Sequence, residues 1–296
     1  MLVLNTLFFT RKGPLLGKGI SSSPNCLVGS REKRDLIKST ILLETLGRLL
    51  TFQDTRSGTV GLVLGGVGVG KSVLCMQVAH EALAEGRPVL YQTTDFSPSQ
   101  ILDRMNRFGW DDAIYLRKTL KFVDMYSWQI DGDTKLSQTP YGIRVSPLNG
   151  TDLGLASRET MKSIEELRPV TILDSLTTLT KFTSEAEMCR RDQLFNARIR
   201  ESGVGLKTMV PSAHSKDYVN SIAAYYDAVV ELKLDLNGTG QRRLPEGEPV
   251  RHLRIRKWNG PHPVESIPFV ITEAGVELKT EASSTVVIES LRKWPQ

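Results

Sequence analysis

The chain has 296 residues, 40% of them apolar and 24% charged, the balance of a globular protein with room for one large domain or two small ones. No apolar stretch approaches the ~20 residues that cross a bilayer, and the apolar opening run carries its charge after it, at Arg11 and Lys12, the reverse of a secretory signal. Cys26, Cys75 and Cys189 form neither a zinc spacing nor a disulfide framework, which suits a reducing cytoplasm, and a net charge of +5 is too thinly spread to demand a polyanionic partner.

Residues 1–30 show Gly, Pro and a Ser21–Pro24 run without periodicity and read as a loosely ordered leader. Leu36–Leu50 spaces its apolar residues as an amphipathic helix does. Thr59–Leu64 is continuously apolar, the signature of a strand covered on both faces. A helix follows from Lys71 to about Ala84 with Gly86 as its C-cap, then a strand at Pro88–Thr94, and a helix opened by Ser97 and Pro98 that runs to about Phe108. Leu120–Tyr126 is a third strand, and the polar, turn-rich stretch from about Gln129 to Asn149 reads as an excursion from the sheet. Beyond it come a helix near Asp152–Leu167, a strand at Val170–Leu173, a helix near Glu185–Arg200 and a strand at Leu206–Val210. The remainder is β-rich: Ala228–Leu234, Leu253–Trp258 and Pro268–Ile271, with a tail over 281–296. Alternating strands and helices predict one α/β domain over 31–280, a mainly parallel central sheet flanked by helices and extended by antiparallel C-terminal strands.

The chemistry concentrates at Gly65, Gly66, Val67, Gly68, Val69, Gly70, Lys71 and Ser72. This run matches the phosphate-loop pattern in full and lies between a strand and a helix, the context in which consecutive amides and a helix start can hold a triphosphate. Lys71 is then the partner of the β- and γ-phosphates, and Ser72 a ligand of Mg²⁺. The second metal-side group should be an acid at the end of a neighbouring buried strand, and Asp174 after Val170–Leu173 stands there; its alternative is to cap the following helix. Hydrolysis also needs a group that orients or deprotonates water. Asp95 is that candidate, at the end of a strand expected immediately beside the phosphate-loop strand, and its alternative is an N-cap for the Ser97–Pro98 helix.

These segments, taken with Asp95-Phe-Ser-Pro98, Leu120–Trp128, Asp174-Ser175-Leu176, Ala213-His214 and Leu253–Gly260, resemble in their order the KaiC-like ATPases, a RecA-superfamily group abundant in archaea. The resemblance spans about residues 35–280. It implies a RecA-like P-loop NTPase fold, ATP bound at a subunit interface, and a homo-oligomeric ring, often a hexamer; the leading expectation is an ATP- and Mg²⁺-binding ATPase whose nucleotide state sets its oligomeric form or its grip on a protein partner. Two positions depart from the family pattern. Asp95-Phe96 replaces a Glu-Glu pair, which implies slow turnover. Lys257-Trp-Asn259-Gly260 replaces Lys-x-Arg-Gly, so that Lys257 can still reach a neighbour's nucleotide but the arginine finger is missing, and Arg256 points to the other face if the strand is regular. Autophosphorylation of the kind seen in the two-copy clock member ranks low in a chain with one ATPase copy.

His80 has no partner at metal-ligand spacing and reads as structural, whereas His214 either senses the γ-phosphate or packs its loop. Trp110, Trp128 and Trp258 read as packing residues. The competing function is a RadA-paralogue-like recombination ATPase whose basic segment Arg242–Lys257 contacts single-stranded DNA; no aromatic-interleaved basic loop supports it, and nucleic acid is not the favoured partner.

Overall fold

The computed structural model describes residues 58–148, 150–164, 168–234, 251–258 and 266–278. The leader, the helix expected at Leu36–Leu50, the Arg242-Arg243 pair, Asn259-Gly260 and the tail lie outside these residues. The described elements are β1 (Thr59–Gly65), α1 (Lys71–Ala84), β2 (Val89–Thr93), α2 (Pro98–Arg107), β3 (Leu120–Asp124), α3 (Trp128–Asp131), β4 (Ser137–Thr139) and β5 (Gly142–Arg144). They continue with α4 (Gly150–Lys162), β6 (Val170–Asp174), α5 (Leu176–Leu179), α6 (Glu185–Ser202), β7 (Val204–Met209), α7 (Lys216–Ala224), β8 (Ala228–Leu234), β9 (Arg251–Trp258), β10 (Ile267–Thr272) and β11 (Gly275–Leu278).

All the strands join one sheet in the order β11-β10-β9-β8-β1-β7-β6-β2-β3-β5-β4. From β5 across to β8 every pairing is parallel; β4 at one edge and β9, β10 and β11 at the other run antiparallel. The central strands β2, β6 and β7 are buried at every residue, as parallel strands covered on both faces must be. One apolar cluster packs α1 and α2 against the sheet through Leu74, Val78, Ile101 and Met105. The other packs α4, α6 and α7 on the opposite face through Ala156, Met188, Ile199 and Ile222. The α/β class with antiparallel C-terminal strands is thus as expected from the element order.

Two expectations need correction. The stretch from Gln129 to Asn149 does not leave the sheet: β5 pairs in parallel with β3, and β4 closes that edge. Each of these strands has only three residues, too few for a period-2 pattern to show. The strand carrying Asp95 does not lie beside β1, because β7 and β6 stand between β1 and β2. Local periodicity identifies strands but does not fix which long crossover puts which strand where.

Burial on α1 lifts the Glu81 carboxyl from its ordinary 4.5 to about 7; the Glu85 charge adds to the rise, while Gln77 and His80 oppose it. Between these two values the folded chain binds a proton that the unfolded chain has released, so stability falls as pH rises through this window and is highest, for this group, below 4.5. Glu81→Gln keeps the neutral form throughout. It should raise stability by about 3 kcal/mol near pH 8 and leave it nearly unchanged near pH 4.5 in urea melts; equal shifts at both would mean that the carboxyl is ionised in the fold.

Candidate nucleotide site

β1 ends at a loop whose tip is open: Gly66, Val67 and Gly68 are exposed, Val67 at 87%, while Val69 is buried at 2% and anchors the loop in the core. Glycine is required at both ends of this turn. A Cβ on Gly65 would sit 2.8 Å from Val69 Cγ1 and 2.9 Å from Leu232 O, and Gly70 adopts φ +106° with Ile271 Cδ1 2.7 Å from where its Cβ would be. Helices α2, α6 and α7 begin with Ser97, Ser184 and Ser215, whose hydroxyls each accept an amide of the first turn. Helix α1 begins at Gly70 with no side-chain cap. No side chain therefore takes up its leading amides, as a helix start that receives an anion requires.

Lys71 is buried at the start of α1, where its ammonium donates to Gly66 O at 2.7 Å. Burial pulls its pKa down, and the nearby carboxylates of Asp174 and Asp95 push back. Asp174 closes β6 at 2% exposure and accepts from Thr208 Oγ1 at 2.6 Å. Burial raises its pKa, against the hydrogen bonds from Thr208 and Ser72 and the charge of Lys71, while Asp95 adds to the rise. The Ser72 hydroxyl is thus placed on the side of the Asp174 carboxylate. Asp174 does not cap the next helix, because Ser175 occupies the N-cap of α5.

Asp95 reaches this group from the end of β2, which pairs with β6 and not with β1, and residues at and before α5 hold it there. Its carboxylate accepts from Thr178 Oγ1, from Thr94 Oγ1 at 3.1 Å and from Ser175 Oγ at 3.3 Å. Thr94 Oγ1 in turn accepts from the Ser175 amide at 2.7 Å, and the Asp174–Ser175 peptide is cis. Asp95 is not the helix cap either: Ser97 fills that role in a capping box with Gln100. The hydroxyls of Thr94, Ser175, Thr178 and Thr208 were not legible as site residues, since a threonine after a strand carries no distinctive spacing. The Thr-Thr pairs at 93–94, just before Asp95, and 177–178, just after Asp174, are the signal that could have raised two of them.

The structure does not bring Lys257 to the loop of its own chain; its ammonium donates to Ala224 O at 2.9 Å, at the end of α7. The strand is also not regular there. A β-bulge sets Val229 opposite Lys257 and Val230 opposite Ile255, so Arg256 is the extra residue and simple alternation between Arg256 and Lys257 fails. The His214 ring is 2% exposed, with Nε2 3.1 Å from Thr177 Oγ1 and Nδ1 3.4 Å from Glu185, and it tilts on Tyr218. His80 pairs with buried Asp112 at 3.0 Å and stacks on Trp110. Trp110 is buried, Trp128 donates to Met125 O at 2.9 Å, and Trp258 packs on the α1-side core. Among the described residues no three His, Cys, Asp or Glu side chains converge as a metal cage, and no helix is long and apolar enough to cross a membrane.

A sequence model of the family described as the KaiC ATPase matches residues 43–283. A UPF0273 protein of Aeropyrum pernix is 28% identical over 73% of this chain and 84% of its own length. A UPF0273 protein of Methanopyrus kandleri is 25% identical over 74% and 83%. Among solved structures, a KaiC-like protein from Pyrococcus horikoshii superposes with a TM-score of 0.57 at 19% identity, covering 79% of this chain and 94% of that one. The flagellar accessory protein FlaH of Methanocaldococcus jannaschii gives 0.56 at 19% identity, covering 76% and 91%. Those two likenesses concern the fold.

Proposed function

The chain belongs to the KaiC ATPase family, and from that premise we propose that it binds ATP with Mg²⁺ at Gly65–Ser72 and hydrolyses it slowly. The observation that carries this reading is the start of α1, with no side-chain cap, where Lys71 folds back onto Gly66 O and the buried carboxylate of Asp174 closes the neighbouring β6. The donor set fits the pair: exposed loop amides and Lys71 for the phosphates, one hydroxyl and one buried carboxylate for the metal. A bound Mg²⁺ would supply charge neutralisation to the triphosphate. Lys71 holds the same oxygens, Ser72 and Asp174 hold the metal, and Asp95, kept in place by Thr178 and Ser175, orients the attacking water. Lys257, with its short-range partner in its own chain, serves the nucleotide of an adjacent subunit in a homo-oligomeric ring. The ATPase domain is residues 31–280, and nucleotide state sets oligomer form or the grip on a protein partner.

The basic segment supports this reading over a single-strand-binding one. Its described part, Arg251–Lys257, is a sheet strand, and its aromatic neighbour Trp258 is engaged with the core instead of standing free to stack on bases.

Asp95→Asn tests the mechanism. Phosphate release should fall by about 100-fold while ATP affinity stays within about twofold, because a water-orienting group acts in the transition state and not in ground-state binding. Equal rates for the two proteins would remove Asp95 from the reaction.

A further inference from the structure

On the face of the sheet away from α1, a cavity of about 420 Å³ opens between α4 and α6 and reaches the strands β2 and β6. Its walls are mostly apolar, with Leu153 of α4, Leu173 of β6, Leu176 and Leu179 of α5, and Met188 and Phe195 of α6; the lining also includes Asp192, whose carboxylate is paired with the buried Lys207 ammonium. This size lies in the range that holds small organic ligands.

Two features of the cavity are not accounted for by packing. Gln92 lines it from β2 at 3% exposure, and its Nε2 has no hydrogen-bond partner. A buried donor left unpaired is costly, and an acceptor entering the cavity removes that cost. The rim is cationic. Arg191 is tied to Glu187 at 2.6 Å and lies across the start of α4, so close that a Cβ on Gly150 would be 2.3 Å from its Nη1. Arg198 is exposed and makes no ion pair among the described residues. It also lines an adjoining cavity of about 410 Å³, where Arg158, Lys162 and Arg198 face the single acid Glu201.

We infer that this cavity binds a small amphipathic carboxylate, with its apolar body against the leucines, an acceptor oxygen at Gln92 Nε2 and its charge shared with the arginine rim. The alternative of a purely apolar occupant leaves both Gln92 and the rim unexplained. Occupancy also bears on the nucleotide site. Leu176 and Leu179 line the cavity, while the intervening Thr178 donates to Asp95 and Thr177 accepts from the Val210 amide at 2.8 Å. A single turn of helix therefore has the cavity on one side and the Asp95 carboxylate on the other. This coupling rests on the ATPase reading; binding in the cavity does not.

Octanoate and 1-octanol, titrated calorimetrically into the full chain, test the inference. Octanoate should bind saturably at one site, and octanol about tenfold more weakly for lack of the charge. Gly154→Trp fills the cavity from α4 at a position where an added Cβ meets nothing within 4 Å, and it should weaken octanoate by more than about tenfold. Arg198→Glu, a surface change that leaves the interior intact, should weaken octanoate by about tenfold and leave octanol unaltered. Lys71→Ala should leave octanoate binding as it is, which separates this inference from the nucleotide reading. Absence of saturable binding by the unaltered protein, or binding undiminished in both Gly154→Trp and Arg198→Glu, overturns it.

Discussion

Lys71→Ala is expected to lower ATP affinity by about 100-fold and to reduce phosphate release to background, the loss anticipated when a charged hydrogen-bond donor to a triphosphate is deleted. The fold should survive the change. Burial depresses the lysine's pKa, so the folded chain carries this ammonium at a cost, and an alanine relieves it. The melting temperature of Lys71→Ala should therefore not fall, and affinity measured by titration reports the site and not unfolding. Unaltered affinity would sink the triphosphate assignment. The same variant also tests the ring. If Lys257 serves the neighbouring subunit's nucleotide, Lys257→Ala is inactive as well, yet mixing the two variants creates interfaces that pair an intact Lys71 with an intact Lys257. About a quarter of the interfaces in an equimolar mixture regain both groups, so about a quarter of the activity should return. No recovery on mixing confines the chemistry to single chains.

The second large effect is on stability. Lys207 of β7 is fully buried, and its ammonium meets Asp192 of α6 at 2.5 Å. Tyr226 donates to the same carboxylate at 2.7 Å and Asn196 at 3.2 Å, and the ammonium lies 4.6 Å from the centre of the Phe195 ring. Lys207→Met leaves Asp192 charged with no cation inside the helix layer and should destabilise the chain by about 3–5 kcal/mol. Adding Asp192→Leu removes the stranded charge and should recover most of that loss, since an apolar pair of similar volume replaces an ion pair at little net cost. Urea midpoints decide it. If the double variant is no more stable than the single one, the single variant's loss comes from cavity formation and not from an unpaired charge.

The sequence disclosed what depends on local backbone conformation and missed what depends on crossovers. The glycine run at 65–70 was legible because its full motif sits between a strand and a helix; that Gly65 and Gly70 are held to glycine by Leu232 and Ile271 is visible only in the fold. Asp174 was legible from position: an acid that ends a buried strand is common by itself, but one that comes after a glycine-rich loop and several strand–helix units stands where a metal-side carboxylate belongs. Asp95 was found as a residue but with the wrong neighbour, since nothing local says that β7 and β6 separate β2 from β1. The β4–β5 hairpin was missed for its shortness, and α7 was missed although Ser215, followed by Tyr218, Val219 and Ile222, carries both a cap and an apolar face. The ion pair of Lys207 was invisible because its partner lies on a different element, fifteen positions away, and charge on a strand looks the same whether it is paired or solvated.

The antiparallel flank has a mechanical consequence. Gln77 of α1 accepts from the Val276 amide at 2.8 Å, Gly275 leaves room for Trp110 and Gln77, and Ile271 closes on the glycine that starts α1. The outer hairpin is therefore braced on α1 and on the glycine at its start, so that the edge of the sheet and the 65–70 loop share one set of contacts.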